Sequence, residues 1–185
     1  EKKFLATWKD EAGIGPAPHI VIEHASDLEH VSDSLYPGIL KIARLGYDGK
    51  GQITVSNKEQ LLAGWQEFGQ VPCVLEKRME LNFEVSALVV RGHDDQVSAY
   101  PVAENIHKNG ILHTTTVPAP SLSADQEEKI IEAAKAIIRR LDYVGVLCVE
   151  FFVLKNGEIV ANEIAPRPHN SGHYTQNACI TSQFE

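Results

Sequence analysis

Nothing in this sequence is apolar for long enough to cross a membrane. No stretch approaches the ~20 residues that a spanning helix needs. The opening EKKFLATWKDEAG has neither the apolar core nor the cleavage site of a secretory leader. Cysteine is scarce. Cys73, Cys148 and Cys179 are odd in number and far apart. That excludes a disulfide framework and a CxxC metal site, and it points to buried thiols in a reducing, cytoplasmic setting. Positive charge is also short: Lys plus Arg is 17 against 25 Asp plus Glu, a net −8 over 185 residues. Nucleic acid and anionic membrane both require a basic face, so neither is an expected partner. An anionic ligand would have to be held by a few local cations and backbone amides. Repeats, low-complexity tracts and charged tails are missing too. What remains is ordinary globular composition, 43% hydrophobic and 23% charged. A chain of this length buries roughly 70% of its unfolded surface and needs no staples.

Residues 1–12 read as a short helix stopped by GIGPAP, and His19–Glu23 as a strand. Ser26 with Glu29 has the spacing of a capping box opening a brief helix, and Ser56 with Glu59 that of a second box, before NKEQLLAGWQEF. Between them, GILKIARL reads as a buried strand carrying one lysine; ITV and PCVLEKRM are further strands. From residue 81 the segments lengthen. LNFEVSALVVRG, VSAYPVAEN and ILHTTTV form an antiparallel series with turns at 92–95 and Asn109–Gly110. Ser123 with Gln126 opens the clearest helix, whose Ile130, Ile131, Ala134, Ile137, Ile138 and Leu141 follow amphipathic spacing. GVLCVEFFVL and EIVANEIA follow, joined at Asn156-Gly157. The expectation is an α+β chain: a small αβ lobe over residues 1–79 and a larger antiparallel lobe with helices over 80–185.

A two-residue turn at Asn156-Gly157 sets Glu150 directly opposite Glu163, with Cβ atoms roughly 5 Å apart. Alternation puts Cys148, Phe152, Leu154, Ile159, Ala161 and Ala165 on the same face. Two like charges on a largely apolar face must be neutralised. A shared proton, a neighbouring Arg or Lys, or a divalent cation would each do so. Oxygen-only ligands favour Mg²⁺ or Mn²⁺ over zinc.

The loop GYDGKGQ lies between two strands but has neither Walker A nor dinucleotide spacing. It is either a mobile hairpin tip or a phosphate cradle whose backbone amides are aided by Lys50. Lys41, inside an apolar strand, needs an anionic partner unless it snorkels from an edge. His107 and His113 flank the Asn109–Gly110 turn. Arg167, His169, Asn170, Ser171 and His173 crowd the loop after the strand bearing Glu163. Loops in that position carry substrate contacts, and Arg167 suits an oxyanion. Zinc through His169 and His173 is disfavoured because Pro168 and the Asn-Ser-Gly spacer oppose a helix.

Together KIARLGYDGKGQ, FEVSALVVRG, YPVAENIH and NEIAPRPHNSGHYT resemble the ATP-grasp domain of the 5-(carboxyamino)imidazole ribonucleotide synthase family, and the likeness covers essentially the whole chain. The PRPHNSGH run separates that family from other ATP-grasp enzymes. The resemblance implies an ATP-grasp fold and a ligase of purine biosynthesis. ATP and bicarbonate would give carboxyphosphate, whose carboxyl group passes to the amine of 5-aminoimidazole ribonucleotide. It implies Mg²⁺ (or Mn²⁺) on Glu150 and Glu163, with Asn162 beside them. Lys41 would touch the α- and β-phosphates. Gly46, Tyr47, Asp48, Gly49, Lys50, Gly51 and Gln52 would form a lid over the nucleotide, with Tyr47 and Asp48 reaching toward the ribonucleotide. Glu76, Lys77, Arg78 and Met79 would form the adenine hinge. Glu84 would take the ribose hydroxyls and His107 would contact the nucleotide, while Arg167 and His169 would serve bicarbonate and carboxyphosphate. The family carries a domain on each side of this one, and neither is present in the sequence. The expectation is an excised domain that binds MgATP weakly, from an enzyme that is a homodimer at full length. A ligase with another acceptor, or a nucleotide-binding module without chemistry, are the alternative readings.

Overall fold

The chain opens with two short helices, α1 (Lys2–Thr7) and α2 (Lys9–Ala12). The computed structural model describes residues 2–7, 9–44, 51–108 and 110–185, which divide into two compact units. One comprises Glu1–Pro16, Leu81–Lys108 and Leu112–Glu185; the other comprises Ala17–Glu80 with Asn109–Ile111. The sequence reading assigned residues 1–16 to the smaller lobe, whereas they pack with the larger unit. Leu5 and Ile14 are buried in its core, and Pro16 bridges to Ala161. Burial of apolar side chains overrides chain adjacency here.

In the smaller unit β1 (His19–Ile22), β2 (Gly38–Ile42), β3 (Gln52–Val55) and β4 (Cys73–Lys77) make an antiparallel sheet in the order β1-β4-β2-β3. Helix α3 (Lys58–Glu67) closes a core of Ile22, Leu40, Val55, Leu61, Trp65 and Leu75. Alternation along β2 commits Leu40 and Ile42 to that core and leaves Ile39 and Lys41 on the opposite face. Both expected capping boxes here are displaced. The first short helix is a 3-10 turn over Ala25–His30, and it is Asp27 that accepts the N–H groups of Glu23 and His24, each at 2.8 Å. At α3 the cap is Asn57, accepting from Gln60 N–H, while Gln60 reaches back to Ser56 N–H. Asn and Asp cap as well as Ser does, so Ser spacing alone did not locate the helix starts.

In the larger unit β5 (Leu81–Arg91), β6 (Val97–Ala99), β7 (Ala103–Lys108), β8 (Ile111–Thr116), β9 (Gly145–Leu154) and β10 (Ile159–Ala165) form one sheet, in the order β10-β9-β5-β7-β8 with β6 also on β5. The segment VSAYPVAEN is two strands rather than one, because Pro101 cannot donate to a ladder. His107 consequently lies within β7 and not in the turn. Helix α4 (Ala124–Arg140) starts at the expected Ser123–Gln126 box, both halves of which are formed. Its Ile130, Ala133, Ala134, Ile137 and Ile138 pack on Val85, Ala87, Val89, Leu147, Val149, Phe151 and Val153. Each large side chain buried there contributes roughly 1.5–3 kcal/mol. The last helix, α5 (Thr175–Ala178), is a single turn.

The β9–β10 hairpin sets the register that matters most. Leu154 N–H donates to Glu158 O at 2.8 Å and Gly157 N–H to Leu154 O at 2.9 Å, with Gly157 at φ +84. The loop is therefore odd in length, and a symmetric two-residue turn is not what forms. Near it Val153 pairs with Ile159, Phe152 with Val160 and Phe151 with Ala161. A bulge at Asn162 then adds one residue to β10, and beyond it Glu150 pairs with Glu163 and Cys148 with Ala165. Two irregularities offset each other, so the glutamates face one another as expected. Between turn and bulge the parity is reversed. Ile159 and Ala161, expected on the glutamate face, pack instead into the core under α4.

Candidate functional site

In the smaller unit the cation and the carboxylate meet across β2 and β4. Ile39 is directly opposite Glu76, which makes Lys41 and Glu76 diagonal neighbours on the face away from α3. Lys41 Nζ lies 3.1 Å from Glu76 Oε2, and the glutamate side chain is only 6% exposed. This answers why a lysine stands in an apolar strand: its charge has an anionic partner. Just past β4 the backbone is partly committed. Lys77 N–H donates to Pro18 O at 2.8 Å and Arg78 N–H to Pro37 O at 2.9 Å. Arg78 and Glu80 are exposed, and Met79 is half-buried. Gly51 has φ +76 and its carbonyl accepts from Ile42 N–H. A Cβ there would collide with Ile42. Gln52 begins β3 opposite Lys41. Gly46, Tyr47, Asp48, Gly49 and Lys50 lie outside the described residues.

In the larger unit one face of the sheet is apolar under α4, and the other carries polar side chains beside a small apolar cluster of Leu88, Cys148 and Ala165. Register sets Glu84, Ser86 and Leu88 of β5 opposite Phe152, Glu150 and Cys148 of β9, and sets Asn105 of β7 opposite Glu84. Period-2 alternation then carries His107 onto the same face. His107 Nδ1 lies 3.0 Å from Glu84 Oε2, and this contact with the carboxylate raises the imidazole above its ordinary pKa. Glu150 is at the centre, with its side chain 15% exposed. Burial first, and the charge of Glu163 second, push its carboxyl up to about 7; Glu84 adds to this, while His107 and Asn162 oppose it. The bulge explains Asn162. The extra residue turns its side chain onto the glutamate face, where Nδ2 donates to Glu150 Oε2 at 3.3 Å, and Lys2 Nζ bonds the Asn162 carbonyl. Glu163 is exposed, and among the described residues no cation pairs with it.

After β10 the chain turns back across this face. His169 Nε2 stands 3.5 Å from Glu150 Oε1. Burial first, then the positive charges of Arg167, His107 and His173, pull the ring down to about 4. With a ring that resists protonation and a carboxyl that resists ionisation, the contact is not a closed ion pair. Arg167 is exposed and donates through Nη1 to the Pro168 carbonyl at 3.0 Å. His173 is exposed and stacks near Phe184 with ring centroids 5.9 Å apart. The structure thus gathers Glu84, His107, Glu150, Asn162, Glu163 and His169 on one face of one unit, and Lys41 with Glu76 in the other.

Buried polar residues that were not singled out from sequence include Ser86, Asn105 and Gln183. Asn105 Nδ2 donates to Ser86 Oγ at 2.6 Å, and Gln183 ties down the His169 backbone. Ser86 and Asn105 had a usable signal: each sits two positions from a candidate residue, Glu84 and His107, on a strand. Gln183 had none.

The donor set fits a hard divalent cation. Two facing carboxylates supply only oxygen. A cation would offset both the burial and the Glu163 charge that lift Glu150. Among the described residues no group of three or more His, Cys, Asp and Glu forms a closed cage. Mg²⁺ is commonly held by one or two carboxylates, with substrate phosphates completing its shell.

Comparison with known proteins bears on the whole chain. The profile of the ATP-grasp domain family matches residues 8–184. The chain is 45% identical over 188 residues to the N5-carboxyaminoimidazole ribonucleotide synthase of Brucella melitensis, covering all of this chain and 51% of that protein. It superposes with TM-score 0.86 and 38% identity on the Staphylococcus aureus N5-carboxyaminoimidazole synthetase complexed with ADP, over 100% of this chain and 49% of that one. The Aspergillus clavatus N5-carboxyaminoimidazole synthase in complex with ADP and 5-aminoimidazole ribonucleotide gives 0.84 at 30% identity, over 98% and 48%. The chain therefore spans about half the length of the relatives it matches. Profile, fold and identity agree that it belongs to the ATP-grasp family.

Proposed function

We propose that this chain is the ATP-grasp part of an enzyme that uses MgATP and bicarbonate to carboxylate the amine of 5-aminoimidazole ribonucleotide, in purine biosynthesis. The observation that carries the reading is the facing Glu150–Glu163 pair with Asn162 beside it, on the same polar face as Glu84 and His107. A synthase of this kind holds ADP and 5-aminoimidazole ribonucleotide in a relative's structure. The γ-phosphoryl passes to bicarbonate, and the resulting carboxyphosphate gives its carboxyl group to the ribonucleotide amine. Glu150 and Glu163 hold Mg²⁺ (or Mn²⁺), which offsets the charge of the triphosphate. Lys41 exchanges Glu76 for the α- and β-phosphates, and residues 46–52 cover the nucleotide. At the 76–79 hinge the Lys77 and Arg78 amides are already engaged, so the adenine edge is read by the Met79 amide and the carbonyls. Glu84 receives the ribose hydroxyls and His107 the nucleotide. Arg167 and His169 serve bicarbonate and carboxyphosphate, and Tyr47 and Asp48 reach the ribonucleotide. The full-length protein is a homodimer carrying flanking domains.

The test measures ADP release by the full-length protein with bicarbonate present, with and without 5-aminoimidazole ribonucleotide. Stimulation by that acceptor is expected. Stimulation by a different amine would point to another ATP-grasp ligase, and no bicarbonate-dependent release would leave a binding module. The 185-residue chain by itself is expected to bind MgATP weakly and to turn over poorly.

A further inference from the structure

Ser171 is fully buried and faces Nδ1 of His169 twice. Its main-chain N–H donates to Nδ1 at 3.3 Å, and its Oγ lies 2.8 Å from the same nitrogen. A backbone N–H can only donate, so Nδ1 is an acceptor and the serine hydroxyl gives it a second hydrogen. A neutral imidazole has one proton, which must then sit on Nε2, the nitrogen 3.5 Å from Glu150 Oε1. The backbone is held as firmly. Gln183, 5% exposed, accepts His169 N–H at 2.9 Å and donates to His169 O at 2.8 Å.

The groups behind the serine point the same way. Having donated to the ring, Ser171 Oγ is left as an acceptor, and Cys148 Sγ lies 3.7 Å from it. With the serine hydrogen on the ring, the thiol is the donor in that contact. Asn105 Nδ2 donates to Ser86 Oγ at 2.6 Å, and Thr115 Oγ1 donates to Asn105 Oδ1 at 3.1 Å.

We infer that Ser171 is a positioning residue that fixes His169 as the Nε2–H tautomer, so that the ring offers a hydrogen-bond donor on the Glu150 side and no acceptor. The tautomer stands on geometry alone. Its use rests on the bicarbonate reading above: a fixed donor suits an oxygen of bicarbonate or carboxyphosphate, and it bars His169 from taking a substrate proton through Nε2.

The test is two-bond ¹⁵N–¹H correlation of the imidazoles at pH 8. Wild type should show a single tautomer at His169, with Nε2 protonated and Nδ1 bare. In Ser171→Ala both nitrogens should move toward an averaged shift, and Ser171→Thr should restore the wild-type pattern. In the full-length protein Ser171→Ala should lower kcat for bicarbonate-dependent ATP hydrolysis about fivefold to tenfold, the worth of one hydrogen bond. KM for MgATP should stay within about twofold. A proton on Nδ1 in wild type overturns the inference, and unchanged ring shifts in Ser171→Ala overturn the part given to the hydroxyl, since the main-chain N–H is retained. Should Ser171→Ala fail to fold, the wild-type spectrum decides. The expected tautomer in a protein with no bicarbonate-dependent activity upholds the positioning role and removes the functional reading.

Discussion

The two units treat charge on a sheet face in opposite ways. In the smaller one, Lys41 and the buried Glu76 are 3.1 Å apart and balance each other. In the larger one, Glu150 and Glu163 stand directly opposite, and among the described residues His107, the amide of Asn162 and a His169 ring that resists protonation do not close the pair. The first arrangement is complete as folded. The second has a charge deficit that the fold maintains, and the cost appears as a carboxyl held at about 7. An unbroken register thus gives a closed pair in one unit, and a bulged register gives an unfinished one in the other. Only the unfinished pair asks for a cation.

Glu150→Gln breaks that comparison most severely. It should abolish the Mg²⁺ dependence of nucleotide binding, measured by titration with and without the metal; binding that still responds to Mg²⁺ would remove the metal assignment. The same change should stabilise the metal-free chain above neutral pH. The folded carboxyl keeps its proton up to about pH 7, while an unfolded glutamate releases it near 4.5. The folded state therefore binds more protons between these values, and stability falls as pH rises through that window, by about 3 kcal/mol for this group. Denaturant midpoints taken from pH 5 to 8 should fall in wild type and fall less in Glu150→Gln.

Lys41→Met tests the closed pair. Removing the described cation from buried Glu76 should cost about 2 kcal/mol, less than a fully buried pair because Lys41 is 29% exposed. Thermal melting should drop by roughly 4–8 °C. A variant that melts at the wild-type temperature would mean that the pair contributes nothing to the fold.

His169 runs opposite to Glu150 in sign. Its folded value, about 4, lies below that of a free imidazole. The stability it contributes is present above about pH 6.5 and is lost as pH falls toward 4. His169→Asn should remove that acid-side slope, as read by urea midpoints between pH 4 and 7.

The smallest effect is expected from Asn162→Ala. It removes one 3.3 Å hydrogen bond to Glu150, so Mg²⁺ affinity should weaken by about threefold to tenfold, measured by competition with a fluorescent chelator. A larger loss would mean that the amide itself binds the cation.

Much of this was legible before the fold was known. The Ser123 box, the α4 face and the facing glutamates follow from spacing alone. The glutamate pairing, however, was reached through a symmetric turn that does not form. An odd loop and the Asn162 bulge offset one another, and only Ile159 and Ala161, on the core side of the sheet instead of the glutamate side, betray the difference. Ser26 and Ser56 had cap spacing, but neighbouring Asp27 and Asn57 took the hydrogen bonds.

Local spacing determined which residues alternate, which helices are amphipathic and which carboxylates share a hairpin, because period and turn are properties of adjacent residues. Tertiary structure decided the rest. It gave Lys41 to Glu76, Ser171 to His169 and the first sixteen residues to the larger unit. Those choices turn on which buried groups find partners from distant segments, and the cost of leaving such a group unpaired is set by its surroundings and not by its neighbours in sequence.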